Sequence, residues 1–364
     1  MKTTQCGGIP LVFLLAAGPV WSDADVIGIL DAFDGTLSVV RSGIVVPAER
    51  VDTGFAFENN DQLRVSSDGW ADVSLDTKTG IKADLHVKAG SSVLLDLSSL
   101  AQNQTGNLDL LLGSIALKVQ KMVGSNSLNV HTETASMGVR GTVFGVDTEV
   151  DGAVLLTTIE GKVELTPATG DLHVSVPGTA VSSEGEDVPQ WTDVPVTDAV
   201  TYTGAWHQDR QKLFEQRRGT ILARLADRYE RLEERFEAAH QRLEDNSELW
   251  NRWSQEEQTG KRSGALADAR LRNRLVLNLI AARHLAWSLE RVHQRLVKIE
   301  SRLGEDAFFQ LDVPRTQGTW QDFVKSWRET RDTLEARLAA THYRVKLFAL
   351  RHGPLQRDAR PTAP

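Results

Sequence analysis

The spacing of the apolar residues changes once along this chain, near residue 205, and that change constrains the fold more than any other feature. Before it, short apolar or alternating runs are separated by Gly, Asp, Asn and Ser, as in antiparallel strands. After it, apolar residues recur at alternating spacings of three and four, as in packed helices. The sequence therefore predicts an α+β protein with separate domains: an all-β domain over residues 24–178, then a helical domain over 205–352.

The β domain is expected to be a jelly roll or a roll-like sandwich, because its strands are short, numerous and evenly spaced. The helical domain is interrupted at Gly260–Gly264 and between Gly304 and Gly318. Three segments with short connections favour an antiparallel three-helix coiled-coil bundle. In the alternative, one seam stays open and the chain forms a homodimer through its helices. The seam of the first segment is formed by Leu222, Leu225, Tyr229, Leu232, Phe236, Ala239 and Leu243.

The net charge of the chain changes sign at the same boundary. Residues 1–204 carry 11 basic and 26 acidic residues, net −15, whereas residues 205–364 carry 30 and 23, net +7. The basic residues of the second half are interspersed with acids, which favours a solvated helical surface and no binding of nucleic acid. A linker is expected at 179–204, which is rich in Ser, Thr, Gly, Pro and acids, and a flexible tail at 353–364.

The first 22 residues are typical of a secretory signal peptide. Lys2 provides the charged end, Ile9–Val20 the apolar stretch, and Ser22 a small residue at the cleavage site. We therefore expect export to the periplasm or cell envelope, without a stable membrane span after cleavage; an uncleaved anchor is the alternative. Cleavage would also remove Cys6, and with it disulfides, thiol catalysis and cysteine metal sites.

One segment in the middle of the β domain has a distinctive strand–turn–strand pattern. Gly141 follows Arg140 at the turn, where a glycine permits a positive φ or a close approach of two backbones. Arg140 is interpreted either as a contact to a ligand or partner or, preferably, as a structural guanidinium that satisfies backbone carbonyls. The candidate residues, structural or partner-binding, are Val139, Arg140, Gly141, Thr142, Phe144, Val146, Glu160 and Gly161.

This pattern, Val139-Arg140-Gly141-Thr142-x-Phe144-x-Val146 followed by Glu160-Gly161-x-Val163, resembles the signature of the FecR domain. The resemblance extends over roughly residues 24–178. It implies an extracytoplasmic β domain, a type best known as the sensing half of regulators that relay an outer-membrane signal to a sigma factor. It implies no catalytic residues. Because no cytoplasmic N-terminal region and no internal membrane helix are apparent, the expected arrangement is a freestanding exported module.

The sequence contains no recognised motif for catalysis, metal binding or a cofactor. The nine histidines form no H-E-x-x-H pattern, and neither a G-x-S-x-G elbow nor a phosphate-binding loop is present. The sequence therefore predicts no catalytic residue, no metal and no cofactor. Asp147, Glu149 and Asp151 alternate along one strand and are interpreted as a solvated face in preference to a Ca²⁺ or sugar site. His240 and His293, on charged helices, are expected to be exposed.

These observations favour a non-enzymatic binding or adaptor module of the envelope, with a sensory role included. Its partner would be an envelope protein or a glycan, and not nucleic acid. Two alternatives remain. A carbohydrate-active hydrolase on a jelly-roll scaffold would use the acids between 147 and 151, and a self-assembling structural protein would form dimers through its helices.

Overall fold

The computed structural model describes most of the chain. The predicted signal peptide and the predicted tail lie outside the described residues. The described ranges are 26–76, 80–97, 105–120, 127–167, 170–184, 188–260 and 265–352.

The first half of the described chain forms two nine-stranded sheets. Sheet A has the order β18-β17-β14-β13-β10-β7-β6-β1-β4, and sheet B has the order β16-β15-β12-β11-β9-β8-β5-β2-β3. The strands are β1 (Val26–Asp34), β2 (Leu37–Arg41), β3 (Ile44–Val45), β4 (Ala56–Glu58), β5 (Gln62–Val65), β6 (Trp70–Asp76), β7 (Lys82–Val87), β8 (Ser92–Asp96), β9 (Thr105–Leu112), β10 (Ser114–Val119), β11 (Ser127–His131), β12 (Ala135–Val139), β13 (Val143–Thr148), β14 (Ala153–Glu160), β15 (Val163–Pro167), β16 (His173–Ser175), β17 (Thr179–Glu184) and β18 (Gln190–Asp193).

The two sheets stack into a sandwich around one apolar core. Alternation produces it: in β6, Ala71, Val73 and Leu75 are buried, while the residues between them are only half-buried. Neighbouring strands pair antiparallel, except β9 and β11, which are parallel. The chain passes repeatedly from one sheet to the other. Residues of the shared core include Leu30, Val39, Leu63, Leu95, Leu117, Val130, Phe144, Val146 and Val163.

The segment expected to be a linker, 179–204, is mostly regular structure. Strand β17 pairs with β14, and β18 pairs with β17, so both extend sheet A. The first helix already begins at Ala199. Because the apolar residues of β17 alternate over only a few positions, a composition rich in Ser, Thr and acids concealed the strand. The sandwich therefore continues to Asp193.

The helices are α1 (Ala199–Glu244), α2 (Ser247–Thr259), α3 (Ala265–Leu303), α4 (Glu305–Phe309) and α5 (Trp320–His352). A turn at Asp245 and Asn246 divides the first predicted helix into α1 and α2. Gly260 and Gly304 follow α2 and α3 with positive φ, as expected for residues that end helices. An α+β organisation with the β domain first is thus confirmed, whereas the jelly-roll and coiled-coil assignments are not.

Helix α3 packs against both α1 and α5. The predicted seam of α1 is buried except at Leu232, which is half-buried. The expectation that His240 and His293 are exposed was wrong, since they are only 5% and 4% exposed. Thr341 Oγ1 lies 3.2 Å from His240 Nδ1, and Trp327 Nε1 donates to His293 Nδ1 at 3.2 Å. Each histidine is therefore a hydrogen-bonded part of the helical core.

Among the described residues, none of the helices combines the length and the apolar character needed to cross a membrane.

Candidate functional site

The predicted motif forms the point at which the chain crosses from sheet B to sheet A. Val139 ends β12 in one sheet, and Val143 begins β13 in the other. Between them Arg140 is exposed, and Gly141 has φ of +95°. The carbonyl of Thr142 accepts a hydrogen bond from Val119 N at 2.8 Å. This turn therefore joins the two layers of the sandwich.

The second part of the motif is the return crossing. Glu160 is exposed at the end of β14, and Gly161, with φ of +82°, leads into β15 of sheet B. A Cβ at Gly161 would lie 2.7 Å from the carbonyl oxygen of Gly141. The two crossings are thus in backbone contact, which only a residue without a side chain allows.

The apolar members of the motif point inward. Val139 and Phe144 are each 1% exposed, and Val146 is fully buried in the sandwich core. Thr142 is 3% exposed beside the crossing. The structure therefore brings these predicted residues together as a packed corner, and Arg140 and Glu160 are its exposed members.

A feature that the sequence reading missed is a charged stripe on α3 facing the outer surface of sheet B. Arg283 Nη2 contacts Asp96 of β8, and both side chains are almost fully buried. Arg291 Nη2 lies 3.0 Å from Asp109 of β9. These basic residues were expected to lie on a solvated surface. That expectation was wrong, because one face of α3 is buried against strands that carry acids on their outer side.

In a further contact of the stripe the charges are exchanged, so that the helix supplies the acid and the strand supplies the base. Glu290 of α3 accepts from Arg64 of β5 at 3.1 Å. Further along the helix, Lys298 Nζ lies 3.4 Å from the carbonyl oxygen of Gly90. Along the helix, Glu290 follows Arg283 by seven residues and Lys298 follows Arg291 by seven, which is close to two turns in each case and places the stripe on one side of the helix.

The acids at the β13–β14 hairpin form a second charged cluster. His207 of α1 places Nδ1 2.7 Å from Glu149 Oε1 and Nε2 3.2 Å from Asp147 Oδ1. Arg210 of α1 donates from Nε to Asp151 Oδ2 at 2.9 Å. The interpretation of these acids as a solvated strand face was wrong. They are oriented outward from sheet A, but α1 covers that surface.

The same hairpin inserts its tip among the helices. Val150 is 2% exposed and belongs to the apolar cluster formed by α1, α3 and α5. Its carbonyl oxygen accepts from Arg295 Nε at 2.7 Å, and Arg295 also contacts Glu133 at 2.8 Å. The helices thus contact both faces of the sandwich and enclose its β13–β14 hairpin.

The electrostatics keep this cluster charged. Burial alone lowers the pKa of His207, but its hydrogen bonds and charge attraction to Asp147 and Glu149 outweigh burial and raise it from 6.5 to about 9. Burial raises the pKa of Asp147 and Glu149, and hydrogen bonds to His207 together with nearby cations bring both below their usual values. An imidazolium held between two carboxylates is therefore the stable state at neutral pH.

This arrangement determines what the cluster can do chemically. Both carboxylates are held ionised, so neither is poised as the general acid that glycoside hydrolysis needs. Within the described ranges, no group of three or more His, Cys, Asp or Glu side chains is placed to hold a metal ion. The cluster is suited to binding one part of the chain to another.

Two signals in the sequence could have revealed the interface. The opposite net charges of the two halves are those of surfaces that attract each other. The recurrence of Arg283, Arg291, Arg295 and Lys298 along one side of α3 would have identified the helix face involved. No comparable signal exists for the acids, whose positions are spread over several strands.

Residues 61–164 match the family model of the FecR protein. The chain contains a FecR domain. The match begins just before β5, includes both crossings of the motif, and ends within β15. Strands β16 to β18 and all the helices lie outside it.

Comparison with solved structures gives two crystal structures of a candidate anti-sigma factor from Parabacteroides distasonis ATCC 8503. Both are 14% identical to this chain and cover 39% of it, with TM-scores of 0.33 and 0.34. The alignments span 64% and 63% of those chains, which is just under two thirds of their length. Among curated proteins, none matches this chain.

Proposed function

We propose that this protein is a non-enzymatic adaptor of the cell envelope with a sensory role, in which the FecR domain recognises an envelope component. The helices are held against the sandwich and present it in a fixed orientation. The match of residues 61–164 to FecR is the observation that carries this proposal. The predicted signal peptide supports export to the periplasm or envelope.

The ionic contacts support a rigid relation between the two parts. Ion pairs connect α3 to strands of sheet B, and His207 connects α1 to β13. Breaking a buried pair costs about 3–5 kcal/mol, because a charge is left without its partner. Several such pairs along one interface favour a single unit, in which the sandwich and the helices move together.

A hydrolase is less well supported. Its candidate carboxylates, Asp147 and Glu149, are covered by α1 and held ionised by His207. A homodimer through the helices is also less well supported, because the apolar seam that it would use is filled within one chain. Phe236, for example, is 1% exposed without a second copy.

One experiment tests the location of the protein, its binding partner and whether it has hydrolase activity. The tagged full-length chain is expressed in its own host, fractionated and cross-linked in intact cells, and each cross-linked envelope protein or glycan is purified and titrated against the purified chain. We expect the chain to be found in the extracytoplasmic fraction. We also expect at least one of the purified envelope proteins or glycans to bind the purified chain saturably. Glycan cleavage by the purified protein that is lost in Asp147→Asn or Glu149→Gln would overturn the proposal in favour of a hydrolase.

Light scattering over a concentration series tests the remaining alternative. A monomer at every concentration is expected. A dimer that Phe236→Glu abolishes, with the sandwich still folded by circular dichroism, would instead assign the helices to self-assembly.

A further inference from the structure

The lateral end of the sandwich formed by β16 and β18 differs from the rest of the surface. These strands are the last members of sheets B and A, so each has one edge that pairs with no other described strand. Seven of the thirteen exposed large hydrophobic side chains in the described residues lie between 172 and 200. We call this region the terminal patch. Its apolar members are Leu172, Val174, Val176, Val188, Trp191, Val196 and Val200.

The centre of the terminal patch is an aromatic pair that connects the two sheets. The rings of His173 in β16 and Trp191 in β18 are 5.9 Å apart. Trp191 is opposite Val181 in the register of β17 and β18, so its indole lies on the core-facing side of sheet A. Val181 is 2% exposed, whereas Trp191 is 42% exposed. The indole therefore lies beyond the filled core, at the open end of the sandwich.

The sequence of this segment carries charge of one sign. From residue 163 to residue 209 the chain has no Lys or Arg and eight Asp or Glu. Asp171, Asp193 and Asp198 are exposed in the terminal patch. Asp193 is two residues from Trp191 in the same strand, which places both side chains on one face. An exposed indole beside a carboxylate is an arrangement that attracts a cationic side chain, through the ring face and through charge.

We propose that the terminal patch is a docking surface for a partner protein segment that carries Lys or Arg among apolar residues. A cationic side chain of the partner lies over the indole of Trp191 beside Asp193, on the side of β16 that His173 faces. The apolar neighbours, on the other side of the same extended segment, lie against Val174 on the outer face of sheet B. The charge of the patch selects this occupant, because a second copy would present the same acidic surface to itself. The proposal deepens the proposed adaptor function and rests on it.

The position of the patch supports this role. Strands β16 to β18 follow the FecR match, which ends at residue 164. Acids elsewhere on the sandwich, such as Asp96, Asp109 and Asp147, are already paired with the chain's own helices. Exposed acids at this end, in contrast, lie beside exposed apolar side chains, and such mixed surfaces are typical of protein interfaces.

The test uses a fluorescein-labelled peptide of alternating Lys and Val and the full-length chain, with binding followed by anisotropy. Control peptides alternate Glu with Val and Lys with Gly. We expect the Lys–Val peptide to bind at least about tenfold more tightly than either control, and more weakly at high salt. Trp191→Ala and Asp193→Lys should each weaken binding by about fivefold or more.

Matched control variants lie at the opposite end of the sandwich. Glu49→Lys changes the net charge as Asp193→Lys does, and Ile44→Ala truncates an exposed apolar side chain in β3. Neither should change binding. The inference is overturned if the Lys–Val and Glu–Val peptides bind equally, or if Glu49→Lys weakens binding as much as Asp193→Lys. It is also overturned if Trp191→Ala abolishes self-association instead. Such a failure would leave the cross-linking test of the adaptor function intact, so the two can be distinguished.

Discussion

Replacing His207 with Gln removes the cation that α1 places between Asp147 and Glu149, and it should remove a pH dependence from the stability of the protein. The pKa of His207 is raised from 6.5 to about 9 in the folded chain. A raised pKa means that the folded state binds the proton more tightly than the unfolded state. The resulting stability is complete below about pH 6.5 and is lost as the pH rises through about 9.

The magnitude follows from the same values. A rise from 6.5 to about 9 corresponds to about 3 kcal/mol in the free energy of unfolding. The side chain is 30% exposed, so solvent screening reduces the expected effect to about 1–2 kcal/mol. We therefore expect the wild-type protein to lose about that amount between pH 6.5 and 9, and His207→Gln to lose less than half of it.

The assay is urea unfolding followed by tryptophan fluorescence at a series of pH values. The difference between variant and wild type is the relevant quantity, since Lys298, whose pKa burial lowers, contributes equally to both. His86→Gln is the matched control, because it also removes an imidazole paired with a carboxylate, Asp72, but one that is 42% exposed and lies outside the contact between α1 and the sandwich. Identical pH profiles for His207→Gln and wild type would refute the reasoning.

Three further predictions concern stability, each measured by urea unfolding. Arg283→Ala should lower the free energy of unfolding by about 3–5 kcal/mol, because it leaves the carboxylate that it faces buried without its cation; a loss below about 1 kcal/mol would contradict a buried interface. Val150→Ala should lower the free energy of unfolding by about 1–2 kcal/mol, because the side chain is buried among the helices. Val45→Ala, at a position 60% exposed, should leave it almost unchanged. Equal losses for the two variants would argue against insertion of the hairpin. Gly161→Ala should lower the free energy of unfolding more than Gly54→Ala. Both glycines have positive φ, but an added Cβ would lie 2.7 Å from the Gly141 carbonyl oxygen at Gly161 and would meet nothing within 4 Å at Gly54; the reverse order would show that the two crossings do not touch.

The class of fold and the order of its two parts could be predicted from the sequence. Alternation of period two buries every second residue of a strand, and spacings of three and four do the same for a helix, so both patterns are local. The seam from Leu222 to Leu243 and the buried positions of Phe144 and Val146 followed from such patterns. The C-terminal limit of the sandwich could not be predicted in this way, because β17 and β18 are too short and polar to show a clear alternating pattern.

The sequence by itself determined which residues face inward within each element, and where glycines had to stand. Gly141 and Gly161 are recognisable because a turn between two layers needs a positive φ and a close backbone approach. Tertiary structure alone decided what the outward faces do. Asp147 was expected on a solvated strand face, and Asp96 and His207 were assigned no role, yet all three form ion pairs between the sandwich and the helices, and both aspartates are buried. The physical reason is that a charged side chain has the same local pattern whether water or an opposite charge faces it, and only the packing of distant elements makes that choice.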